Sequence, residues 1–181
     1  MQTYKKNWFK YIAGLVVCLL IRLIPVRVPN IEPILATQMP FSKAYGKMAG
    51  FLFGFLSIVL FDIVTMQIGV WTFVTSSAYG LLGAWAAFYF KNKKSNSWNY
   101  VKFTIMGTLF FDAVTGLSVG PLIFHQPFMG ALAGQIPFTL LHLLGNISFA
   151  LILSPAVYSL VIKNKKPNNS PLINVLNPKI I

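Results

Sequence analysis

The chain has 181 residues, of which 56% are hydrophobic and 10% charged, against the roughly 25% charged residues of a soluble globular domain; it reads as an integral membrane protein. Fifteen Lys+Arg against three Asp+Glu give a formal charge of +12, and with 16 Phe and long apolar runs that excess belongs to loops at a membrane surface, not to a nucleic-acid-binding face. The single cysteine, Cys18, excludes an intramolecular disulfide and any Cys-based zinc or iron–sulfur site, so neither a metal nor another cofactor is expected.

A transmembrane helix needs about 20 mostly apolar residues. Residues 8–26 supply the first, opened by Lys5, Lys6 and Lys10 and closed by Arg22, Pro25 and Arg27. No small-x-small cleavage site follows, so this segment is expected to remain a helix and not to leave as a signal peptide. Residues 31–41 are apolar but short and punctuated by prolines, and predict a short second helix. Residues 46–65 carry Gly46, Gly50 and Gly54 every fourth position, a smooth edge for close packing inside the bundle or against a partner. Residues 70–90 and 100–119 are the next two spans, and 130–162 is longer than one crossing requires. Pro137 and Pro155 in that last segment predict a tilted, kinked or protruding helix. Residues 1–163 thus form one six-helix domain, and the Pro- and Asn-rich 164–181 a flexible cytoplasmic tail.

Charge orders the topology. Twelve lysines flank the spans: Lys5, Lys6 and Lys10; Lys43 and Lys47; Lys91, Lys93, Lys94 and Lys102; Lys163, Lys165 and Lys166. With six helices all twelve fall on one side, and the opposite loops, 26–33, 66–69 and 120–129, hold only Arg27 besides histidine. By the positive-inside rule both termini are cytoplasmic. Five spans would put Lys43 and Lys47 on the wrong face, so the partition itself argues for the short helix.

Phe61-Asp62-Ile63-Val64-Thr65 recurs 50 residues on as Phe111-Asp112-Ala113-Val114-Thr115. Tyr79-Gly80-Leu81-Leu82 and Met129-Gly130-Ala131-Leu132 keep the same offset, which suggests that the third and fourth helices correspond to the fifth and sixth as a parallel repeat, or that the match is chance.

Every acidic residue, Glu32, Asp62 and Asp112, falls at the external helix ends. Arg22 lies at similar depth, about 21 Å along its helix, and ionisable groups there are costly unless paired or turned to a polar cavity. An ion pair of Arg22 with Asp62 or Asp112 is expected. Gln135, Thr139, His142 and Asn146 make one helical stripe, and Thr104, Thr108, Asp112 and Thr115 another; such stripes face the bundle interior, as ligand contacts or as interhelical glue. With Arg27, Asn30 and Glu32 on the first external loop, Trp71 at a helix start, and His125 and Gln126 on the last loop, they outline an outward-opening polar pocket with aromatic walls, suited to a small ring-containing solute. The chain has no phosphate-binding loop, His-Glu-x-x-His motif or nucleophile elbow, so it is expected neither to hydrolyse ATP nor to be an enzyme.

Arg22-Leu23-Ile24-Pro25, Val28-Pro29-Asn30-Ile31-Glu32-Pro33, and the Gly46/Gly50/Gly54 run ending in Phe61-Asp62 resemble the substrate-binding S component of energy-coupling factor (ECF) transporters, along nearly the whole chain. The resemblance implies a six-helix bundle in the bacterial plasma membrane that captures a vitamin or related micronutrient under its external loops. It also implies a transmembrane coupling protein and two cytoplasmic ATPase subunits as partners, with docking through small residues of the first helix. Here only Ala13, Gly14 and Cys18 approximate that surface. The Gly-rich helix ending in Asp-x-x-Thr is also similar to the rod-shape-determining membrane protein, a scaffold on a related fold, and an ion-coupled small-solute carrier is a third reading.

Overall fold

The computed structural model describes residues 7–25 and 32–162, which are helical with no strand among them. The elements are α1 (Trp8–Arg22), α2 (Ile34–Tyr45), α3 (Lys47–Val64), α4 (Val70–Tyr89), α5 (Ser97–Val114), a π-helical turn (Thr115–Val119), the short α6 (Gly120–Ile123), α7 (Phe128–Ala156) and a second π-helical stretch (Val157–Ile162). Three stretches are long and apolar enough to cross a membrane: Lys47–Val64, Ser97–Ile123 and Phe128–Leu160. α1, with 15 residues, and α2, with 12, fall short of the length a perpendicular crossing needs, while Thr72, Thr75, Ser76 and Ser77 dilute the hydropathy of α4.

The short second helix is real but sits differently from its expected bounds. It starts after Pro33 and runs through Pro40 to Tyr45. Ten of its twelve residues are buried, so protein and not lipid surrounds it. A proline inside a helix lacks the N–H that would bond the carbonyl four residues back; for Pro40 that carbonyl belongs to Ala36, and the Ser154 hydroxyl of α7 donates to it at 2.7 Å. The same device recurs in α7, where the Leu151 carbonyl left over by Pro155 accepts from the Ser97 hydroxyl at 3.3 Å. α7 therefore continues past both its prolines, and its winding loosens only after Pro155.

α3 and α4 cross at backbone contact. A Cβ on Gly83 would overlap the Gly50 carbonyl, and one on Gly54 would overlap the Tyr79 carbonyl. Gln38 of α2 pins the crossing, its Nε2 donating to Gly50 O at 2.9 Å and to Tyr79 O at 2.8 Å. Gly50 and Gly54 thus serve internal packing, whereas Gly46, with φ +93° and nothing within reach of a Cβ, makes the turn between α2 and α3. Phe41 stacks on Phe53 at 5.2 Å, with Tyr11 edge-on to both.

The basic loops gather at one end of the bundle. Lys43 donates to the Lys93 carbonyl, Lys47 lies over the Phe88 ring at 3.5 Å and Lys93 over Tyr89 at 3.9 Å. The 50-residue offset carries over to the bounds of one helix pair and not to those of the next. α3 and α5 match at both bounds with the 50-residue offset, and Thr65 and Thr115 each donate to the carbonyl four residues back at 2.8 Å. By contrast Gly80 packs on Phe51 within α4, whereas Gly130 opens α7 with nothing within 4 Å of a Cβ among the described residues.

Two stability changes follow. Ser154→Ala strands the buried Ala36 carbonyl and lowers stability by about 1–3 kcal/mol, read as a drop in detergent melting temperature. Gly83→Ala forces backbone apart at the α3–α4 crossing and costs about 1–3 kcal/mol, whereas Gly134→Ala, a helical position with open space, holds or raises the melting temperature in the same assay.

Candidate functional site

At the end opposite the lysines, α3 closes on a left-handed residue, Met66 (φ 56°), after which the Gln67 N–H returns to the Asp62 carbonyl at 2.8 Å. This places Gln67 and Asp62 beside the start of α4. Thr72, in the first turn of α4, accepts from the Gly69 N–H and donates to Asp62 Oδ2 at 2.5 Å, so the carboxylate also fixes where Trp71 stands.

A cavity of about 380 Å³ opens here, within the range of drug-sized ligand sites. Trp71, Tyr79, Phe111 and Phe138 give it aromatic walls, and Arg22, Glu32, Asp62, Gln67, Thr75 and His142 its polar groups, with Ile58 completing the lining. A second cavity of about 430 Å³ shares Trp71 and Phe138 with the first and adds Gln126, Gln135, Phe124 and the glycines Gly116, Gly120 and Gly134. The π-helical turn builds this second compartment: it brings Gly116 so close to Gln135 that a Cβ there would overlap the side-chain amide, and widened turns of this kind concentrate at functional sites. Trp71 stacks on Phe124 at 5.9 Å over its mouth.

Arg22 is 5% exposed and pairs with Glu32 at 3.4 Å, not with either aspartate as expected. Its other terminal nitrogen donates to the Ser57 carbonyl at 2.5 Å, and its guanidinium lies 4.1 Å from the Phe61 ring centroid. The aspartates are engaged by their own neighbours: Asp62 by Thr72, and Asp112 by His142, with 2.7 Å between Oδ1 and Nδ1. A threonine hydroxyl and an imidazole reach the two carboxylates from the helix next to each, so the guanidinium is left to the residue that follows α1 across the first loop.

Of the predicted contacts, Arg22, Glu32, Asp62, Trp71 and His142 line the first cavity and Trp71, Gln126 and Gln135 the second. Asp112 is 2% exposed and meets the cavity only through His142. Asn146 lines neither cavity: one turn deeper, its Nδ2 donates to Thr108 at 3.0 Å and ties α7 to α5. His125 also lines neither, standing exposed on the loop before α7 with φ 53°. Arg27 and Asn30 lie outside the described residues. The proposed small-residue docking surface is corrected as well, because Cys18 is fully buried and accepts from Thr37, and Gly14 is covered by the Phe41 ring; of the three only Ala13 is left without an inward contact of this kind. Reading the sequence missed Tyr79, Phe111, Phe138, Thr75 and Gln67. Phe111 and Tyr79 carried a signal, since both stand in the repeated segments. Among the described residues no three His, Cys, Asp or Glu side chains converge as a metal site.

The chain matches the family model of the ECF-type riboflavin transporter, S component, over residues 11–159. It belongs to that family. The family is a transporter binding component and not an enzyme family, and with the apolar helices it makes the chain a multi-pass membrane protein of vitamin transport. Comparisons with curated proteins and with solved structures give no match.

Thr72→Val removes the donor to Asp62 Oδ2 and the acceptor of the Gly69 N–H. The expected result is a loss of about 1–3 kcal/mol of stability, seen in thermal unfolding and relieved when Asp62→Asn is added.

Proposed function

We propose that this chain is the substrate-binding subunit of an ECF importer and that it captures riboflavin from the external side of a bacterial plasma membrane. The observation that carries the reading is the paired cavity: two compartments joined at Trp71 and Phe138, walled by aromatic rings and rimmed by amides and hydrogen-bonded charges. A flavin ring is flat, apolar on its faces and polar along one edge, and its polyol chain needs several hydrogen-bonding groups. Stacking against Trp71 or Phe138 suits the faces. Gln67, Thr75, Gln126 and Gln135 suit the edge and the chain, because amides and hydroxyls both donate and accept.

In this reading the six helical segments of the expected topology cross or dip into the bilayer as one domain, with both termini on the cytoplasmic side. The gathering of Lys43, Lys47 and Lys93 at one end and of Glu32, Asp62 and Trp71 at the other supports that orientation. Transport is energised elsewhere, by a coupling membrane protein and two cytoplasmic ATPase subunits. A capture subunit and not the scaffold alternative is favoured by the cavity, for which a protein acting only through its outer helix faces has no use.

The test is titration of riboflavin with the purified chain in detergent, following quenching of flavin fluorescence, with mass spectrometry of any small molecule that copurifies. One-to-one binding is expected, weakened about tenfold, or about 1.4 kcal/mol, by Trp71→Ala and by Phe138→Ala. Binding of a different vitamin, with no response to riboflavin, overturns the choice of solute. No response to any vitamin in a panel overturns capture itself.

A further inference from the structure

His142 is held on three sides. Phe111 and Phe138 meet its ring edge-to-face, each at 5.6 Å between centroids, and Nδ1 faces Asp112 Oδ1 at 2.7 Å with both side chains almost fully buried. The fourth side lines the first cavity. No described group bonds Nε2, and Nε2 is not among the fully enclosed unpaired atoms; it is the ring nitrogen left for a ligand.

Whether Nε2 donates or accepts follows from the protons on the pair. A buried pair with net charge is costly in a low-dielectric interior, so a net-neutral one is favoured. Two net-neutral forms exist. In one, Asp112 is ionised and the imidazole carries hydrogen on both nitrogens. In the other, the carboxyl O–H donates to Nδ1, and the one ring hydrogen is on Nε2. Both forms turn an N–H toward the cavity. Asp112 Oδ2 is enclosed with no partner among the described residues, so no second donor steadies a bare carboxylate with a neutral ring. Of the other ionisable groups on the cavity, Arg22 pairs with Glu32 and Asp62 accepts from Thr72.

We infer that His142 donates its Nε2–H to an acceptor on the ring edge of the bound flavin, a carbonyl oxygen or an unprotonated ring nitrogen, and that Asp112 fixes this polarity as a positioning residue without touching the ligand. The inference rests on riboflavin as the ligand.

The test pairs protein variants with riboflavin analogues that each weaken or delete one ring acceptor, sulfur for oxygen at either carbonyl or carbon for nitrogen in the ring, and reads the coupling between the two changes. Wild type is expected to discriminate about tenfold against one analogue. His142→Gln, which keeps an N–H donor, retains most of that discrimination, and His142→Leu abolishes it. Because His142→Leu strands a buried carboxylate, the comparison is repeated in an Asp112→Asn background. There the amide donates to Nδ1 and leaves the hydrogen on Nε2, so D112N still discriminates and D112N with H142L does not. If the chain binds riboflavin and discrimination is the same with and without the imidazole, the assignment fails alone. If the wild type does not bind riboflavin, the proposed function fails and takes the assignment with it.

Discussion

A helix enclosed by protein on every side in a membrane bundle has neither water nor lipid headgroups to satisfy its polar atoms, and α2 is such a helix. Gln38, Thr37, Ser42 and the carbonyl released by Pro40 are all buried, and each has found a partner in its own helix or a neighbour, Gln38 through Nε2 alone, its Oε1 having none among the described residues. Gln38 reaches the backbones of α3 and α4, Thr37 the carbonyl of Pro33 and the sulfur of Cys18, Ser42 the Gln38 carbonyl, and Ala36 the hydroxyl of Ser154. A slip of α2 by one residue would break at once the bonds that reach α1, α3, α4 and α7. The register of α1, α3, α4 and α7 around it is therefore fixed by hydrogen bonds, on top of shape.

The site inherits its geometry from that register. The Gln38-pinned crossing of α3 and α4 sets Ile58 and Asp62 opposite Tyr79 and Thr75 across one cavity. On the other side, Asp112 to His142 and Thr108 to Asn146 are two rungs between α5 and α7 one turn apart. The upper rung presents a side chain to the cavity and the lower one only holds the helices. Arg22 closes the ring of contacts, joining the end of α1 to the Ser57 carbonyl of α3 and to Glu32 ahead of α2.

Much of this was legible in the sequence. The lysine partition follows from a rule about translocation and needs no knowledge of packing. The stripes on α5 and α7 were legible because period alone places Thr108, Asp112, His142 and Asn146 on inward faces. Which stripe residue meets the cavity is a matter of depth, and depth depends on how the two helices are offset; hence the stripe alone does not tell that His142 lines the cavity while Asn146, one turn below, bonds Thr108. The partner of Arg22 was hidden for a similar reason, since sequence distance says nothing of which carboxylate a neighbouring helix has already engaged. The aromatic walls Tyr79 and Phe138 are invisible in a chain with 16 Phe and seven Tyr, where a cavity ring and a lipid-facing ring are written alike. Pro40 advertised a break, and the helix survives because Ser154, 118 positions from the Ala36 carbonyl it bonds, supplies the missing donor.

The state of the charged groups bears on what such a cavity selects. Arg22 has both terminal nitrogens engaged, Asp62 accepts a hydroxyl and Asp112 shares its hydrogen bond with His142. The charge of Arg22 is already offset by Glu32, so an anionic ligand would have to share the guanidinium with that carboxylate, against like-charge repulsion. A cationic ligand would have to compete with Thr72 for Asp62 and would disturb the start of α4 and with it Trp71. An uncharged ring with donors and acceptors on its edge makes neither demand. It can use the amides, the hydroxyls and the imidazole as they stand, so little of the binding energy is lost to rearrangement. The charges, the most conspicuous feature of the sequence, thus act chiefly as braces that hold the neutral polar groups and the aromatic walls in place.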